Sequence, residues 1–266
     1  MSNITVTHAP SGLVLAEVVR SQRVTPNMVR ITISGADLER YRYRGFDQWF
    51  RLALPVRGDG ALERMPATFT IGGYLKYLAL PKGTRPVIRN YTVRAFRPAE
   101  RELDIDFVSH GEDGVAGPWA ANVESGERVA FVDQGCGWKG LDADWSLIVA
   151  DESALPAAAG VLRDMPRDAR GHAIIELFDA RDRQDVDAPD GVTVHWLERA
   201  VDDAPGTAAL AALRELEFPD GVPYAFCVGE QALATGARRH LVRERGVPRQ
   251  QVTFSGYWRL GRASPS

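Results

Sequence analysis

Residues 89–94 read Arg-Asn-Tyr-Thr-Val-Arg. In an extended strand alternate side chains share a face, so Arg89 and Tyr91 stand side by side while Asn90 and Thr92 take the other face. A guanidinium beside a phenol ring can hold a diphosphate while the ring packs against a flat heterocycle or a ribose. Thr92 has a hydroxyl and a backbone amide to offer the edge of such a ring. The same hexapeptide also suits a plain barrel strand with one wet face, and alone it does not choose between the two.

A second segment, HGEDGVAGPWA at residues 110–120, follows the strand-like DIDFVS. Gly111, Gly114, Ala116 and Gly117 leave backbone amides approachable, and WAANV after them can begin a helix whose positive end faces an anion. Phosphate binding fits this composition, and so does a flexible turn. No GxGxxG follows a strand, so the usual glycine-turn grip on a dinucleotide is unsupported.

The elements that must position these residues change character along the chain. LVLAEVVRSQRVT, NMVRITISG, WFRLALPV, YTVRAF and ELDIDFVSH read as strands with short turns, the last two as a hairpin across RPAER. In the last, Leu103, Ile105 and Phe107 alternate with Asp104 and Asp106, which predicts one apolar and one wet face. After about residue 140, strands alternate with helices: SLIVA, a helix with Pro156 behind a Ser153 cap, AIIELF, VTVHWL, a helix capped by Thr207, YAFCVG, the helix EQALATGARRHLVRERG, and VTFSGYWR. An antiparallel barrel followed by a mainly parallel sheet is the expectation, with the boundary in the glycine-rich stretch GCGWKGLDAD.

Composition narrows the function. Residues 1–94 hold 14 Lys+Arg against 6 Asp+Glu, although the whole chain carries a net charge of -3. A basic half on an acidic protein suits a small anionic ligand better than nucleic acid. No stretch approaches the roughly 20 apolar residues of a membrane span, and the first residues lack the pattern of a secretory signal, so a cytoplasmic protein without a membrane partner is expected. Cys136 and Cys227 have no metal-ligand spacing, and no protein metal site is expected. Cys227, within YAFCV, reads as a buried small residue.

Taken in order, the RNYTVR strand, ELDIDFV followed by His110 and a small-residue loop ending in Trp119, ADESALPA after the first α/β strand, and the closing GYWRLGR resemble the siderophore-interacting protein family. That family is a branch of the ferredoxin-reductase-like flavoproteins, and the resemblance runs from about residue 14 to 262. It implies an N-terminal Greek-key β-barrel that binds FAD at residues 12–138 and a C-terminal α/β domain of the NAD(P)-binding type at residues 143–266. Arg89 would meet the pyrophosphate, Tyr91 the ring system and Thr92 its redox-active edge, with Asn90 in the same strand. Asp106, Val108 and His110 match the strand lining the cofactor; Ala116, Gly117 and Trp119 match the phosphate loop; Asp151, Glu152 and Ala154 match the segment reaching the adenosine. Gly117 stands where the family usually has serine, and Trp49 and Arg51 stand where histidine and lysine are more usual.

The implied activity is an FAD-dependent reduction of a ferric siderophore, with NADH, NADPH or reduced ferredoxin as donor and no catalytic residue beyond the flavin. Arg51, Lys139, Arg259 and Arg262 are the candidates for the anionic acceptor, with Tyr257 and Trp258 packing beside it. Gly229 and Glu230, after YAFCV, occupy the place where a nicotinamide approaches in related reductases. A monomer is expected. Two other readings stay open: a general flavin reductase of the same fold, and a siderophore-binding protein without electron transfer.

Overall fold

β-Branched and aromatic side chains alternate with polar ones through the first half of the chain, and the computed structural model builds that half as strands. It describes residues 2–7, 11–56, 58, 60–109 and 114–262. The chain divides into two compact units: one comprises residues 6–44 and 48–136, and the other residues 137–262 together with 2–5 and 45–47. The second unit therefore recruits two short pieces from early in the sequence. Within it, the buried Asp47 carboxylate accepts the backbone N–H groups of Gly137 and Trp138 at 2.9 Å each.

The first unit contains β1 (Leu13–Thr25), β2 (Met28–Ser34), β3 (Trp49–Leu54), α1 (Ile71–Leu78), β4 (Val87–Thr92), β5 (Ala95–Arg97), β6 (Glu102–Val108), α2 (Ala116–Asn122) and β7 (Arg128–Gly135). Its seven strands form one antiparallel sheet in the order β4-β3-β7-β1-β2-β6-β5. The segment YTVRAF, expected as one strand, is split: Tyr91–Thr92 belong to β4 at one end of that order and Ala95–Phe96 to β5 at the other. Val93 and Arg94 make the passage, donating their backbone N–H groups to Gln48 O at 2.8 Å and Asp104 O at 2.9 Å. One short stretch of chain thus ties both edges of the sheet, and a sheet so tied must curl. The core filling the curl includes Val14, Ile31, Phe50, Leu52, Leu103, Ile105, Phe107 and Phe131.

The face of β6 expected to be wet is buried. Asp104 accepts Thr32 Oγ1 at 2.8 Å and both terminal nitrogens of Arg97 at 2.7 Å each, and Asp106 is paired with Arg30. Arginines from β2 and β5 lie across these carboxylates and replace the water that alternation alone would assign to them. Burial pushes the Asp104 carboxyl upward, yet the Arg97 and Thr32 hydrogen bonds outweigh it and hold the group below its ordinary value.

The second unit contains β8 (Trp145–Ala150), α3 (Leu155–Asp164), β9 (Arg170–Leu177), β10 (Gly191–Glu198), α4 (Thr207–Glu215), β11 (Pro223–Glu230), α5 (Gln231–Arg243) and β12 (Val252–Trp258). The strands are parallel in the order β10-β9-β8-β11-β12, so the direction of winding reverses between β8 and β11. Ligand crevices in such sheets open at the carboxyl ends of the two strands flanking the reversal. Pro156 lies in the first turn of α3 as expected, but Ser153 does not cap that helix: the residue before it is Ala154, no side chain caps it among the described residues, and Asp151 instead caps the short 3-10 turn Glu152–Ala154 just ahead by accepting Ser153 N. Thr207 likewise begins α4 instead of capping it. Glu176 from β9 takes that role, accepting the N–H groups of Gly206 at 2.7 Å and Ala209 at 3.0 Å. Cys227 is fully buried in β11, where burial pushes its thiol up to about 12.

Glu176 and Glu152 are both buried and share one counter-ion, Arg199, at 2.9 and 3.1 Å. Removing that guanidinium leaves two carboxylates without compensation in a dry interior. The Arg199→Ala variant is expected to lose about 3–5 kcal/mol of stability, read as a lower urea midpoint; an unchanged midpoint contradicts the assignment.

Candidate functional site

Strand alternation and the register with β3 settle which way the RNYTVR side chains face. Phe50 lies opposite Tyr91 and Leu52 opposite Arg89, and both partners belong to the core, so Arg89 and Tyr91 share the inner face. Asn90 and Thr92 share the outer one, opposite Arg51 and Trp49. Tyr91 rests on Phe107 of β6 with ring centroids 4.2 Å apart, and Phe107 in turn meets Trp119 of α2 at 5.6 Å. Tyr91 is half-buried, and burial pushes its phenol above the ordinary value while the charge of Arg89 pulls the other way. It stays neutral at any physiological pH.

Arg89 is half-buried, and its Nη1 donates to the carbonyl of Ile88 at 2.7 Å. No carboxylate pairs with it among the described residues, which leaves the guanidinium able to meet an anion. Asp106 has the opposite fate. Its side chain is enclosed, bound by Arg30 through bonds of 2.6 and 2.8 Å and approached by Arg94 Nε at 3.5 Å. Any part it plays toward a cofactor runs through those two arginines, neither of which the sequence reading included among the site residues.

α2 supplies the second half of the site. No side chain among the described residues caps its first turn, and that turn is built from Ala116, Gly117 and Pro118. Among the described residues a Cβ on Gly117 would meet only the carbonyl oxygen of Val108, at 3.4 Å, so they leave room there for a serine. Trp119 Nε1 is buried without a hydrogen-bond partner among the described residues. His110, the remaining residue of this loop expected at the cofactor, lies outside the described residues. Among the described residues, an arginine without a carboxylate partner, a half-buried tyrosine and a turn of small residues that no side chain caps are groups that a diphosphate and a flat ring system require, so the residues present fit FAD.

The expected adenosine segment is engaged internally. The fully buried Asp151 carboxylate accepts Ser153 N at 3.0 Å and Ser153 Oγ at 2.5 Å through one oxygen, and Glu230 N at 2.6 Å and Trp258 Nε1 at 3.0 Å through the other. It therefore binds together the carboxyl ends of β8, β11 and β12. Gly229 makes room for it, with φ +120° and a would-be Cβ only 2.6 Å from that carboxylate. Glu152 is paired with Arg199, and Ala154 is fully buried. Glu230 caps α5 through Ala232 N and Leu233 N and accepts Leu260 N at 3.2 Å. What this edge can offer a nucleotide is backbone rather than free carboxylate.

Among the residues expected at the acceptor, Arg259 and Arg262 are exposed and face each other across a turn closed by Arg262 N to Arg259 O at 3.1 Å. Trp258 is fixed by Asp151, whereas Tyr257 is packed against the core of the second unit. Lys139 is exposed, and its backbone N–H donates to the Tyr224 hydroxyl at 3.0 Å. Arg51, in the first unit, lies over the Phe69 ring at 4.6 Å, and burial lowers its affinity for a proton.

Residues 17–137 match the siderophore-interacting FAD-binding domain, and residues 143–261 match the siderophore-interacting protein family. The ferric vibriobactin reductase ViuB of Vibrio cholerae is 30% identical over 93% of this chain and 90% of its own length. The NADPH-dependent ferric-chelate reductase of Escherichia coli K12 is 30% identical over 91% of each chain. A siderophore utilization protein from T. fusca, solved by crystallography, superposes with a TM-score of 0.80 at 34% identity and covers 98% of both chains.

Two expectations follow from this geometry. Arg89→Ala removes a charge-assisted partner of the diphosphate, worth about 1.5–3 kcal/mol, so the variant is expected to lose FAD on dilution; retention equal to wild type contradicts the pyrophosphate role. Burial, followed by the neighbouring Glu152 charge, raises the Asp151 carboxyl from 3.8 to about 6. A raised carboxyl adds stability below its unfolded value that is lost as pH rises through its folded value, so this contribution fades between about pH 4 and pH 6. Thermal melts of Asp151→Asn are expected to lack that fall, and a wild-type-like profile contradicts the assignment.

Proposed function

The chain belongs to the siderophore-interacting protein family, and on that premise we propose that it is an FAD-dependent reductase of ferric siderophores with a nicotinamide as electron donor. The observation that carries the cofactor half is the seam of the antiparallel sheet, where Arg89 is without a carboxylate partner among the described residues and the half-buried Tyr91 rests on Phe107, which in turn meets Trp119 of α2. The names of the Vibrio and Escherichia relatives support the acceptor and the donor. A cytoplasmic monomer acting on a small anionic chelate is the setting this reading expects, with reduced ferredoxin as the alternative donor.

The chemistry asked of the protein is modest. Hard oxygen donors hold Fe(III) far more firmly than Fe(II), so delivering one electron to the chelated iron is itself the release step. FAD, when bound, takes up two electrons as hydride and passes them on singly, which reconciles a nicotinamide donor with a one-electron acceptor. Arg89 and the amides of Ala116 and Gly117 hold the diphosphate, Tyr91 packs along the ring system, and the buried Thr92 offers its hydroxyl or amide at the ring's edge. Arg259 and Arg262, set together by their turn, attract the anionic groups of the chelate, and Trp258, oriented by Asp151, gives a flat surface beside them.

The test is anaerobic reduction, with NADPH and FAD supplied, of an anionic ferric catecholate and of a neutral quinone. The ferric chelate is expected to be reduced with the higher kcat/KM. Arg259→Ala is expected to keep its flavin, raise KM for the chelate and flatten the salt dependence, because it removes long-range attraction rather than the redox step. Equal kcat/KM for both acceptors, or an Arg259→Ala enzyme with unchanged salt response, contradicts this reading.

A further inference from the structure

α1 is amphipathic in the wrong direction for a packing helix. A surface helix ordinarily turns its apolar stripe toward the core. Here Ile71, Tyr74, Leu75 and Leu78, spaced i, i+3, i+4 and i+7, are 85%, 45%, 61% and 37% exposed, and the one buried residue of the helix is Tyr77. Isolated exposed leucines need no explanation, but a continuous stripe of four large apolar residues on one short helix does.

The helix is nevertheless firmly built. Thr70 caps its start by accepting Gly73 N, and a Cβ on Gly73 would strike the Thr68 carbonyl oxygen at 1.8 Å, so glycine lets the first turn lie directly on the preceding segment. Tyr77 anchors the inner side, donating its hydroxyl to Pro86 O at 3.0 Å. Arg85 closes the far end, donating to the carbonyls of Leu78 at 2.5 Å and Leu80 at 3.0 Å. The apolar face is held outward by specific contacts on the opposite side rather than left there by a loosely attached segment.

Charge identifies what covers it. Between Glu63 and Glu100 the sequence contains no acidic residue, so no carboxylate of the segment that carries α1 offsets Lys76 and Lys82. Lys76 and Lys82 are exposed on and just beyond α1. A second copy of this chain docking through the same patch would set lysine against lysine, which disfavours a symmetric dimer. An apolar stripe with an aromatic residue and flanking lysines matches the interfacial layer of a negatively charged bilayer, where side chains of this kind enter the headgroup boundary and ammonium groups meet phosphates.

We propose that α1 docks this protein on the surface of an anionic lipid bilayer, with Ile71, Tyr74, Leu75 and Leu78 entering the interfacial layer and Lys76 and Lys82 at the headgroups. The absence of an apolar span, which gave the expectation of no membrane partner, bears on helices that cross a bilayer and not on one that lies along it. Docking of this kind is reversible and electrostatically assisted, so it weakens with salt.

The experiment is co-sedimentation of the flavin-loaded protein with phosphatidylcholine vesicles, prepared with and without phosphatidylglycerol, at low and high salt. Binding is expected on the anionic vesicles at low salt and to be lost on the neutral ones. Ile71→Asp/Leu75→Asp is expected to reduce it about tenfold or more, and Lys76→Glu/Lys82→Glu to reduce it while leaving the apolar face intact. Both pairs lie on the exposed side, and an unchanged flavin absorbance with an unchanged melting temperature shows that the fold is retained. No binding to anionic vesicles at low salt overturns the proposal, as does binding undiminished by the double aspartate variant. A concentration-dependent dimer that the same variant abolishes also overturns it, by assigning the stripe to self-association.

Discussion

The passage from β4 to β5 is the constraint on which the rest of the first unit depends. Two residues, Val93 and Arg94, connect the opposite edges of the seven-stranded sheet, and their amides are bonded to β6 and to the residue before β3. Because the edges are tied there, Tyr91 of β4 must meet Phe107 of β6 across the seam, and Phe107 meets Trp119 at the start of α2. One bend in the strand thus lines up Tyr91, on the same face as Arg89, with Phe107 and with Trp119 of α2. Backbone closure therefore places the groups proposed to hold the cofactor.

The carboxylates around this frame divide by partner. Asp104, Asp106, Glu152 and Glu176 are bound by arginines and spend their charge on holding strands and helices together. Asp151 has no arginine and instead gathers two backbone amides, a hydroxyl and an indole at the winding reversal of the parallel sheet. The cost of burying it shows as a carboxyl raised to about 6. That arrangement fixes Trp258 and the start of the turn bearing Arg259 and Arg262, so the arginines proposed to meet the acceptor take their place from a buried acid just after β8.

Much of this was legible in the residues. The strands and helices of the second unit follow from apolar runs with Gly, Pro and Thr at their ends, and the inner-face pairing of Arg89 with Tyr91 follows from period-two alternation. Tertiary partners decided the rest. Asp104 and Asp106 read as a wet face because alternation cannot foresee arginines reaching over from β2 and β5. Thr207 and Ser153 read as caps from their residue type, yet the amides at the start of α4 go to Glu176 of β9 and Ser153 itself donates to Asp151. α1 is hard to read because Gly72 and Gly73 lower the helical propensity of an eight-residue segment, although Ile71, Tyr74, Leu75 and Leu78 do keep the i, i+3, i+4, i+7 spacing of a helix.

The central claim is that the seam holds an isoalloxazine dinucleotide, and a crystal structure of the protein grown with FAD tests it most directly. The account predicts density for the ring system against Tyr91, with the diphosphate reached by Arg89 and by the amides of Ala116 and Gly117, and with Asp106 still paired to Arg30. FAD bound elsewhere, with Arg89 unmoved on the carbonyl of Ile88 and the first turn of α2 bare, would contradict it.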